Sequence, residues 1–246
     1  KNFDKKLTFK DIFSFSMGVN YKVNENFAVY GRFSQGRKTP DLSYFMDIAN
    51  QQLTSGISIE AQNIKMAELG FKFKNEKFNL FVTPFYTLAT QIPNFQIFQN
   101  PDATYYAPTR VYQEIRTTGL ELEGNVIISK NFSLRAVATL QNSVADQFSV
   151  YLARTNGPAD DTLVTYHGKK NDNIGTMIMI TPTYTAGKFF ASINYQYMGK
   201  RWANVGNAFR LPAFSSFDLN MGYTVSKRIQ LNASINNMFN KYGLMS

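Results

Sequence analysis

The stretch from Thr117 to Asn142 constrains the fold of this chain more than any other segment. Its sequence, TTGLELEGNVIISKNFSLRAVATLQN, alternates apolar and polar residues on both sides of a predicted turn at residues 129–131. Because successive side chains of a β-strand point to opposite faces, each arm of this hairpin has one apolar and one polar face. Each arm runs for ten residues or more, and a strand needs roughly 9–11 residues to cross a bilayer. The stretch therefore predicts a membrane-spanning hairpin with lipid on one face and water on the other.

The overall composition fits a membrane protein built from strands. Hydrophobic residues make up 44% of the 246 residues, yet the apolar runs are short, such as residues 178–180. Nothing approaches the roughly 18 consecutive apolar residues of a transmembrane helix, and barrel strands hide their apolarity in alternation. Cysteine is absent, which excludes disulfides and thiolate metal sites.

The positive charge of the chain does not indicate a nucleic-acid partner. The formal net charge is +9, but the basic residues are scattered and do not form a cluster with interleaved aromatic residues. Several of them stand at predicted tight turns, where solvated charges are expected: Lys77, Lys130, Lys188, Lys227 and Arg228.

The alternation recurs along the whole chain and predicts ten strands in five hairpins, with short turns and long loops in strict order. The fourth strand, about residues 78–91, has apolar residues on both parities, and we expect a bulge near Pro84 because proline lacks the N–H for a ladder. The predicted long loops are Arg37–Ile59, Ile92–Val111, Ser149–Asp172 and Lys200–Pro212.

Aromatic residues recur within a few positions of the short turns. They are Tyr21, Phe27, Phe73, Phe78, Phe132, Phe189 and Tyr223. A soluble β protein could hold such residues in its core, but their recurrence at turn after turn favours an aromatic girdle at a membrane boundary. Outer-membrane barrels place short turns in the periplasm and long loops outside the cell, so this girdle is predicted to be periplasmic.

Both ends of the chain fall on the long-loop side of the predicted sheet. A sheet of ten strands with two free edges is not viable in lipid, so an odd number of strands is expected to be missing on each side. We therefore predict an all-β fold, a fragment of a transmembrane antiparallel β-barrel with about ten strands.

Several segments resemble the motifs of TonB-dependent receptors. Residues 33–40, FSQGRKTP, resemble the S-x-G-x-R-x-P segment, and residues 116–124, RTTGLELEG, resemble the R-x-x-G-L/V-E-x-E strand. Residues 235–242, INNMFNKY, closely resemble N-L-F-N/D-K-x-Y. Further matches to the family, in the E-x-G-x-K strand and the penultimate loop, are residues 68–72, 197–201 and 211–214 with Asp218.

The resemblance implies a 22-stranded barrel with an N-terminal plug, of which residues 1–246 would be the C-terminal portion. The ten strands would match strands twelve to twenty-one, and the plug, the first barrel half and the last strand would be absent. The family implies an outer-membrane receptor of Gram-negative bacteria that binds a substrate through extracellular loops and imports it with TonB-derived energy. The implied partners are outer-membrane lipid, the plug and remaining strands, and the TonB complex, with a surface lipoprotein or other outer-membrane subunits as further candidates.

Aromatic and arginine side chains in the long loops are the candidates for substrate binding, because such groups suit a carbohydrate, a metal chelate or a peptide. Packing within the loops, or against a partner, is the alternative. These candidates are Tyr44, Phe45, Tyr105, Tyr106, Arg110, Tyr151, Arg154, Arg201 and Trp202. The charges predicted to face the lumen or the plug are Arg32, Glu68, Lys72, Glu121, Glu123, Arg135 and Asp218.

Enzymatic chemistry is not indicated by the titratable residues. His167 is the only histidine and has neither a second histidine nor a cysteine to build a metal site or triad. Glu121 and Glu123 share a strand face as a glycosidase pair could, but packing against lumen cations or the plug explains them better. We expect no enzyme, no cofactor and no metal, and keep a passive porin or a structural barrel subunit as the alternative function.

Overall fold

The computed structural model describes residues 12–39, 60–99, 106–152, 162–170, 173–204 and 206–243. No helix in these ranges is long and apolar enough to cross a membrane. The strands, in chain order, are β1 (Phe15–Lys22), β2 (Phe27–Lys38), β3 (Gln62–Lys74), β4 (Phe78–Gln99), β5 (Tyr106–Ser129), β6 (Phe132–Asp146), β7 (Phe148–Leu152), β8 (Thr162–Tyr166), β9 (Lys169–Lys170), β10 (Thr176–Ala186), β11 (Phe189–Met198), β12 (Arg201–Trp202), β13 (Arg210–Leu211), β14 (Phe214–Ser226) and β15 (Ile229–Ile235).

The main sheet is an antiparallel meander that follows the chain. Its order is β1-β2-β3-β4-β5-β6-β10-β11-β14-β15, and β9 pairs with the end of β6. Short turns join the hairpins at one end of the sheet. In two of them an asparagine closes the turn: Asn24 Oδ1 accepts hydrogen bonds from the N–H groups of Asn26 and Phe27, both at 2.8 Å, and Asn75 does the same one hairpin later. The all-β fold of ten antiparallel strands is confirmed.

The register separates the residues of this sheet into a polar face and an apolar face. Glu121 on β5 lies between Thr83 and Thr139 of the neighbouring strands, and these define the polar face. Leu122 lies between Val82 and Ala138, and these define the apolar face. The parity predicted from the sequence therefore holds across β5 and β6, and the register assigns the facing of β4, which the sequence left open.

The apolar face has no protein layer over it. Val19 is 70% exposed and Leu231 is 60% exposed, although both are large aliphatic residues. Among the residues that the structure describes, Ala145 and Phe148 are the only buried hydrophobic side chains. A sheet with so small a core is not stable in water through packing of its own, so its exposed apolar face requires a lipid environment.

Aromatic residues gather on the apolar face close to the short turns, as the sequence predicts. The rings of Phe27 and Phe73 stack with their centroids 4.6 Å apart. On the same face, further along the sheet, Phe132 is the register partner of Tyr184. Cross-strand pairs of this kind contribute a few tenths of a kcal/mol to about 1 kcal/mol each.

Three glycines on the polar face make room for an aromatic ring from the adjacent strand. In each case the ring occupies the space that a Cβ atom of the glycine would need. The pairs are Tyr30 over Gly70, Phe85 over Gly119 and Phe190 over Gly222. The second pair settles the facing of β4, because Phe85 belongs to the polar face despite its apolar ring.

The predicted bulge near Pro84 is wrong. Pro84 keeps its place in the register opposite Leu120, and the register shift on the β5 side lies between Ala89 and Ile92. Gln91, within that shift, has a φ of 52°, the left-handed conformation that often marks a bulge. The missing N–H of the proline therefore does not force an extra residue into the strand.

Three of the predicted long loops contain regular structure, and one of them, 200–212, carries the β12–β13 pair. The predicted loop 92–111 is largely a continuation of the β4–β5 hairpin, since β4 runs to Gln99 and β5 starts at Tyr106. The predicted loop 149–172 carries the β7–β8 ribbon and β9. Most of the predicted loop 37–59 lies outside the described residues.

Candidate functional site

The long-loop end of the sheet carries the predicted substrate-binding residues, and the structure describes them unequally. Tyr44, Phe45, Tyr105 and Arg154 lie outside the described residues. Tyr106 and Arg110 lie in β5 and Tyr151 lies in β7, where the structure gives their backbone positions. Their role in substrate binding stays a prediction.

Arg201 and Trp202 form the short strand β12, which pairs with β13 beyond the end of β11. Trp202 stands opposite Arg210 in the register, and the Arg210 guanidinium carbon is 5.0 Å from the centroid of the indole ring. Arg201 is 7% exposed, whereas Phe209, directly before β13, is 69% exposed. The ribbon thus presents a cation stacked on an aromatic ring, which suits an anionic or aromatic ligand. Sequence reasoning missed Arg210, because only the register identifies it as the partner of Trp202.

Asp146 connects three segments at the same end of the sheet. Its carboxylate accepts a hydrogen bond from Arg116 Nη2 of β5 and lies 2.9 Å from His167 Nδ1, after β8. Asp146 is the last of the 15 residues of β6, beyond the roughly 9–11 needed to cross a bilayer. The hydrogen bond from His167, followed by those from the backbone of Gln147 and Gly168 and from Arg116, lowers the pKa of Asp146 below its ordinary value.

Two loops are joined to each other and to the sheet through the backbone of β9. Lys169 and Lys170 of β9 pair with Ala145 and Val144 of β6. The side-chain amide of Asn207, between β12 and β13, accepts from the Lys170 N–H at 3.0 Å and donates to its carbonyl at 2.7 Å. The described parts of the third and fourth long loops therefore form one connected structure.

The charged residues predicted for the lumen all lie on the polar face, and four of them form ion pairs. Arg32 Nε and Nη2 hold the Glu68 carboxylate at 2.7 and 2.8 Å, a bidentate geometry across β2 and β3. Arg135 Nη2 lies 2.9 Å from Glu123 Oε1 across β5 and β6. These pairs balance charge within the sheet itself.

The other three predicted lumen residues have different surroundings. Lys72 Nζ lies 4.6 Å from the centroid of the Tyr30 ring. Asp218 Oδ1 accepts a hydrogen bond of 2.8 Å from the Asn237 N–H and so fixes the chain just after β15. Glu121 lies between two threonines of the polar face. The structure therefore distributes the predicted charges along the sheet and does not bring them together in one site.

No cluster typical of catalysis or of a hard metal ion is found in the part of the chain that the structure describes. That part has no group of three or more His, Cys, Asp or Glu side chains that could hold a metal ion. Glu123 is engaged by Arg135, and His167 faces Asp146 on an exposed ribbon. Neither arrangement contains a nucleophile paired with a base.

Comparisons with known proteins identify relatives of this chain. The family model described as "TonB dependent receptor-like, beta-barrel" matches residues 1–238. The rhizobactin receptor of Rhizobium meliloti (strain 1021) is 22% identical over 240 residues, which are 92% of this chain and 29% of that receptor. The ferric yersiniabactin uptake receptor FyuA from Yersinia pestis has a TM-score of 0.64 at 16% identity, covering 94% of this chain and 33% of that one. The siderophore receptor PiuA from Acinetobacter baumannii has a TM-score of 0.67 at 19% identity, covering 93% and 32%.

At these identities the solved structures show a shared fold. The chain spans 29% of the length of the curated relative and about a third of each solved receptor. The ten strands therefore match part of the fold of each solved receptor, and the relatives named are all described as receptors.

Proposed function

Because the chain belongs to the TonB-dependent receptor-like β-barrel family, we propose that it is part of an outer-membrane receptor that imports its substrate with TonB-derived energy. The observation that carries this proposal is the ten-stranded sheet with one exposed apolar face and one polar face, in a chain that the family model matches over residues 1–238. An apolar face of this size fits the lipid of the outer membrane. The substrate would bind outside the cell and pass through the barrel without covalent chemistry.

The polar face lines the lumen in this proposal and packs against a plug domain. The ion pairs Arg32–Glu68 and Glu123–Arg135 support this assignment. A charge that is already paired within the sheet costs less to cover with another protein surface than an unpaired charge would. Glu121, whose neighbours in the register are threonines, is the acidic residue best placed to meet a cation of the plug.

The substrate class that the observations favour is a ferric siderophore. The curated relative is named as a rhizobactin receptor and the solved relatives as receptors for yersiniabactin and other siderophores. The β12–β13 ribbon offers this chain's own support, because the Arg210–Trp202 pair combines a cation with a flat ring. Such a surface suits an iron chelate that carries negative charge and planar groups.

Uptake of radioactive iron by cells that express the complete receptor tests the proposal. A panel of ferric siderophores, including ferric rhizobactin and ferric yersiniabactin, is offered to iron-starved cells with and without TonB. Uptake of at least one chelate should require both the receptor and TonB. Arg210→Ala should weaken that uptake, whereas Arg228→Ala, at the short turn between β14 and β15, should leave it unchanged.

Single-channel recording on the same complete receptor separates the importer from a passive porin. A barrel closed by a plug should show almost no basal conductance. A large constitutive conductance, or uptake that persists without TonB, would contradict the proposal and favour the porin.

A further inference from the structure

Three methionines lie next to one another on the polar face of β10 and β11. Met177 and Met179 lie on β10, two residues apart and therefore on the same side of the strand. Met198 on β11 is the direct register partner of Met177. Met177 is also the partner of Thr139 on β6, which places the three methionines on the polar face.

The methionines line a groove of about 290 Å³. The groove is open on the side of the polar face, and its lining contains no acidic, basic or histidine side chain. Val137 and Thr139 border it on β6, and Gln196, the neighbour of Met198 on the same face of β11, borders it on the other side. All three methionine side chains are half-buried.

The chemistry of this groove is that of a soft, neutral set of ligands. Directly opposed residues of an antiparallel pair have Cβ atoms about 4.5–5.5 Å apart, and methionine has three rotatable side-chain bonds. The sulfur atoms of Met177, Met179 and Met198 can therefore converge on one ion above the sheet. Thioether sulfur selects soft ions such as Cu(I), whereas Mg²⁺, Ca²⁺ and Mn²⁺ require a shell of oxygen ligands, and the groove lining contains no carboxylate that could supply it.

We propose that Met177, Met179 and Met198 form a thioether site that binds Cu(I) inside the barrel. The expectation of no metal site was based on the lack of histidine and cysteine partners, whereas the three methionines come together only through the register of β10 and β11. The site does not depend on the identity of the imported substrate or on TonB, because it requires only the register of β10 and β11.

An apolar patch that packs against another part of the receptor is the competing explanation, and replacement by leucine separates the two. Leucine and methionine have similar volume and apolarity, so such an exchange usually costs less than about 1.5 kcal/mol. A contact surface survives Met→Leu, whereas a thioether site loses its ligands.

The test is an anaerobic competition titration of the complete receptor, purified in detergent, against the Cu(I) complex of bicinchoninate. The variants are Met177→Leu/Met198→Leu and, as a matched control on the polar face of β3, Met66→Leu. Heat-modifiable migration on gels verifies that each variant keeps a folded barrel. Copper X-ray absorption of the loaded protein reports whether sulfur surrounds the ion.

The wild type should withdraw one Cu(I) per receptor from bicinchoninate, with sulfur neighbours in the absorption spectrum. Loss of even an outer-shell partner typically costs 10–100-fold in metal affinity, so removal of two ligands should lower the affinity by about 100-fold or more. Met66→Leu should bind like the wild type. The proposal is overturned if the wild type does not compete with bicinchoninate, if the double variant binds within about twofold of it, or if Met66→Leu loses as much affinity.

Discussion

Gly70 shows how single residues determine the packing of the polar face. The ring of Tyr30 crosses from β2 and fills the space above Gly70 on β3. The Tyr30 hydroxyl is 3.2 Å from Thr83 Oγ1 on β4, and Lys72 Nζ lies over the ring. One aromatic side chain thus connects three strands, and it can do so only because residue 70 has no Cβ.

Replacement of Gly70 by alanine should therefore destabilise the barrel. The added Cβ displaces the Tyr30 ring and its contacts with Thr83 and Lys72, at a cost of about 1–3 kcal/mol. The measurement is the midpoint of thermal unfolding, which is monitored by heat-modifiable migration on gels. Gly36→Ala is the matched control, since no atom lies within 4 Å of its Cβ position. Equal midpoints for the two variants would show that the Tyr30 ring adapts without loss.

Tyr30→Ala provides the second half of the test. In the Tyr30→Ala background the Gly70→Ala change should cost much less, because the ring that it displaces is gone. Non-additivity of this kind is expected for residues in direct contact. Full additivity of the two changes would contradict the packing described for Tyr30.

Leu122 tests the assignment of the two faces at one position of β5. Leu122 lies seven residues before Ser129, the last residue of β5 at the short turn, which places it near the middle of the bilayer. Leu122→Arg should prevent or slow assembly, because an arginine on the lipid face at the midplane costs roughly 2–4 kcal/mol. Glu121→Arg, on the polar face, should assemble. The amount of folded receptor in outer membranes is the readout, and equal amounts of both variants would contradict the assignment.

At the scale of elements, β8 and β9 are held against β6 by Asp146. The pKa of Asp146 is lowered in the folded state. The stability that its carboxylate contributes is therefore fully present above the pKa of Asp146 in the unfolded chain, and it is lost as the pH falls through the pKa in the folded state. The contact between Asp146 and His167 is therefore intact at neutral pH and is lost in acid, below the ordinary pKa of an aspartate. Its partner His167 is exposed, so salt should also weaken it.

Asp146→Asn should reproduce the effect of acid at neutral pH. The amides of Thr162–Lys170 should exchange hydrogen faster in the variant, and the wild type should approach the variant as the pH falls, after correction for intrinsic exchange rates. Asp218→Asn serves as the control, since Asp218 contacts the chain after β15 and not this ribbon. If the amides are equally protected from exchange in the Asp146 variant and the wild type, the pairing of β9 with β6 holds this segment without Asp146.

The elements differ in how far their sequence predicts them. Alternation identifies strands inside the membrane because one face of each strand contacts lipid and the other contacts water. Beyond the membrane that constraint ends, and the described residues 92–99 and 106–111 form strands without alternating clearly. The facing of Phe85 depends on Gly119, and the role of Arg210 depends on Trp202; in both cases the deciding contact is set by the register and not by neighbours in sequence.

At the scale of the whole molecule, the sheet has unpaired strand edges and an exposed apolar face. Among the residues that the structure describes, no strand pairs with the outer edges of β1 and β15, and unpaired backbone groups are costly in lipid. The apolar face is exposed along its length, from Met17 to Ile235. We propose that further strands of the receptor pair with both edges and that lipid covers this face.

A nitroxide scan of Thr117–Ile128 in the complete receptor tests the central claim most directly. Residues 1–246 contain no cysteine, so a cysteine introduced at each position in turn can carry the label once any cysteine elsewhere in the complete receptor has been replaced. Accessibility to oxygen, which concentrates in lipid, should peak at Leu120, Leu122 and the other even positions. Accessibility to a water-soluble nickel chelate, where the plug leaves room for it, should peak at the odd positions. Oxygen accessibility that peaks at Glu121 and Glu123, or that does not alternate, would contradict a barrel strand between lipid and lumen.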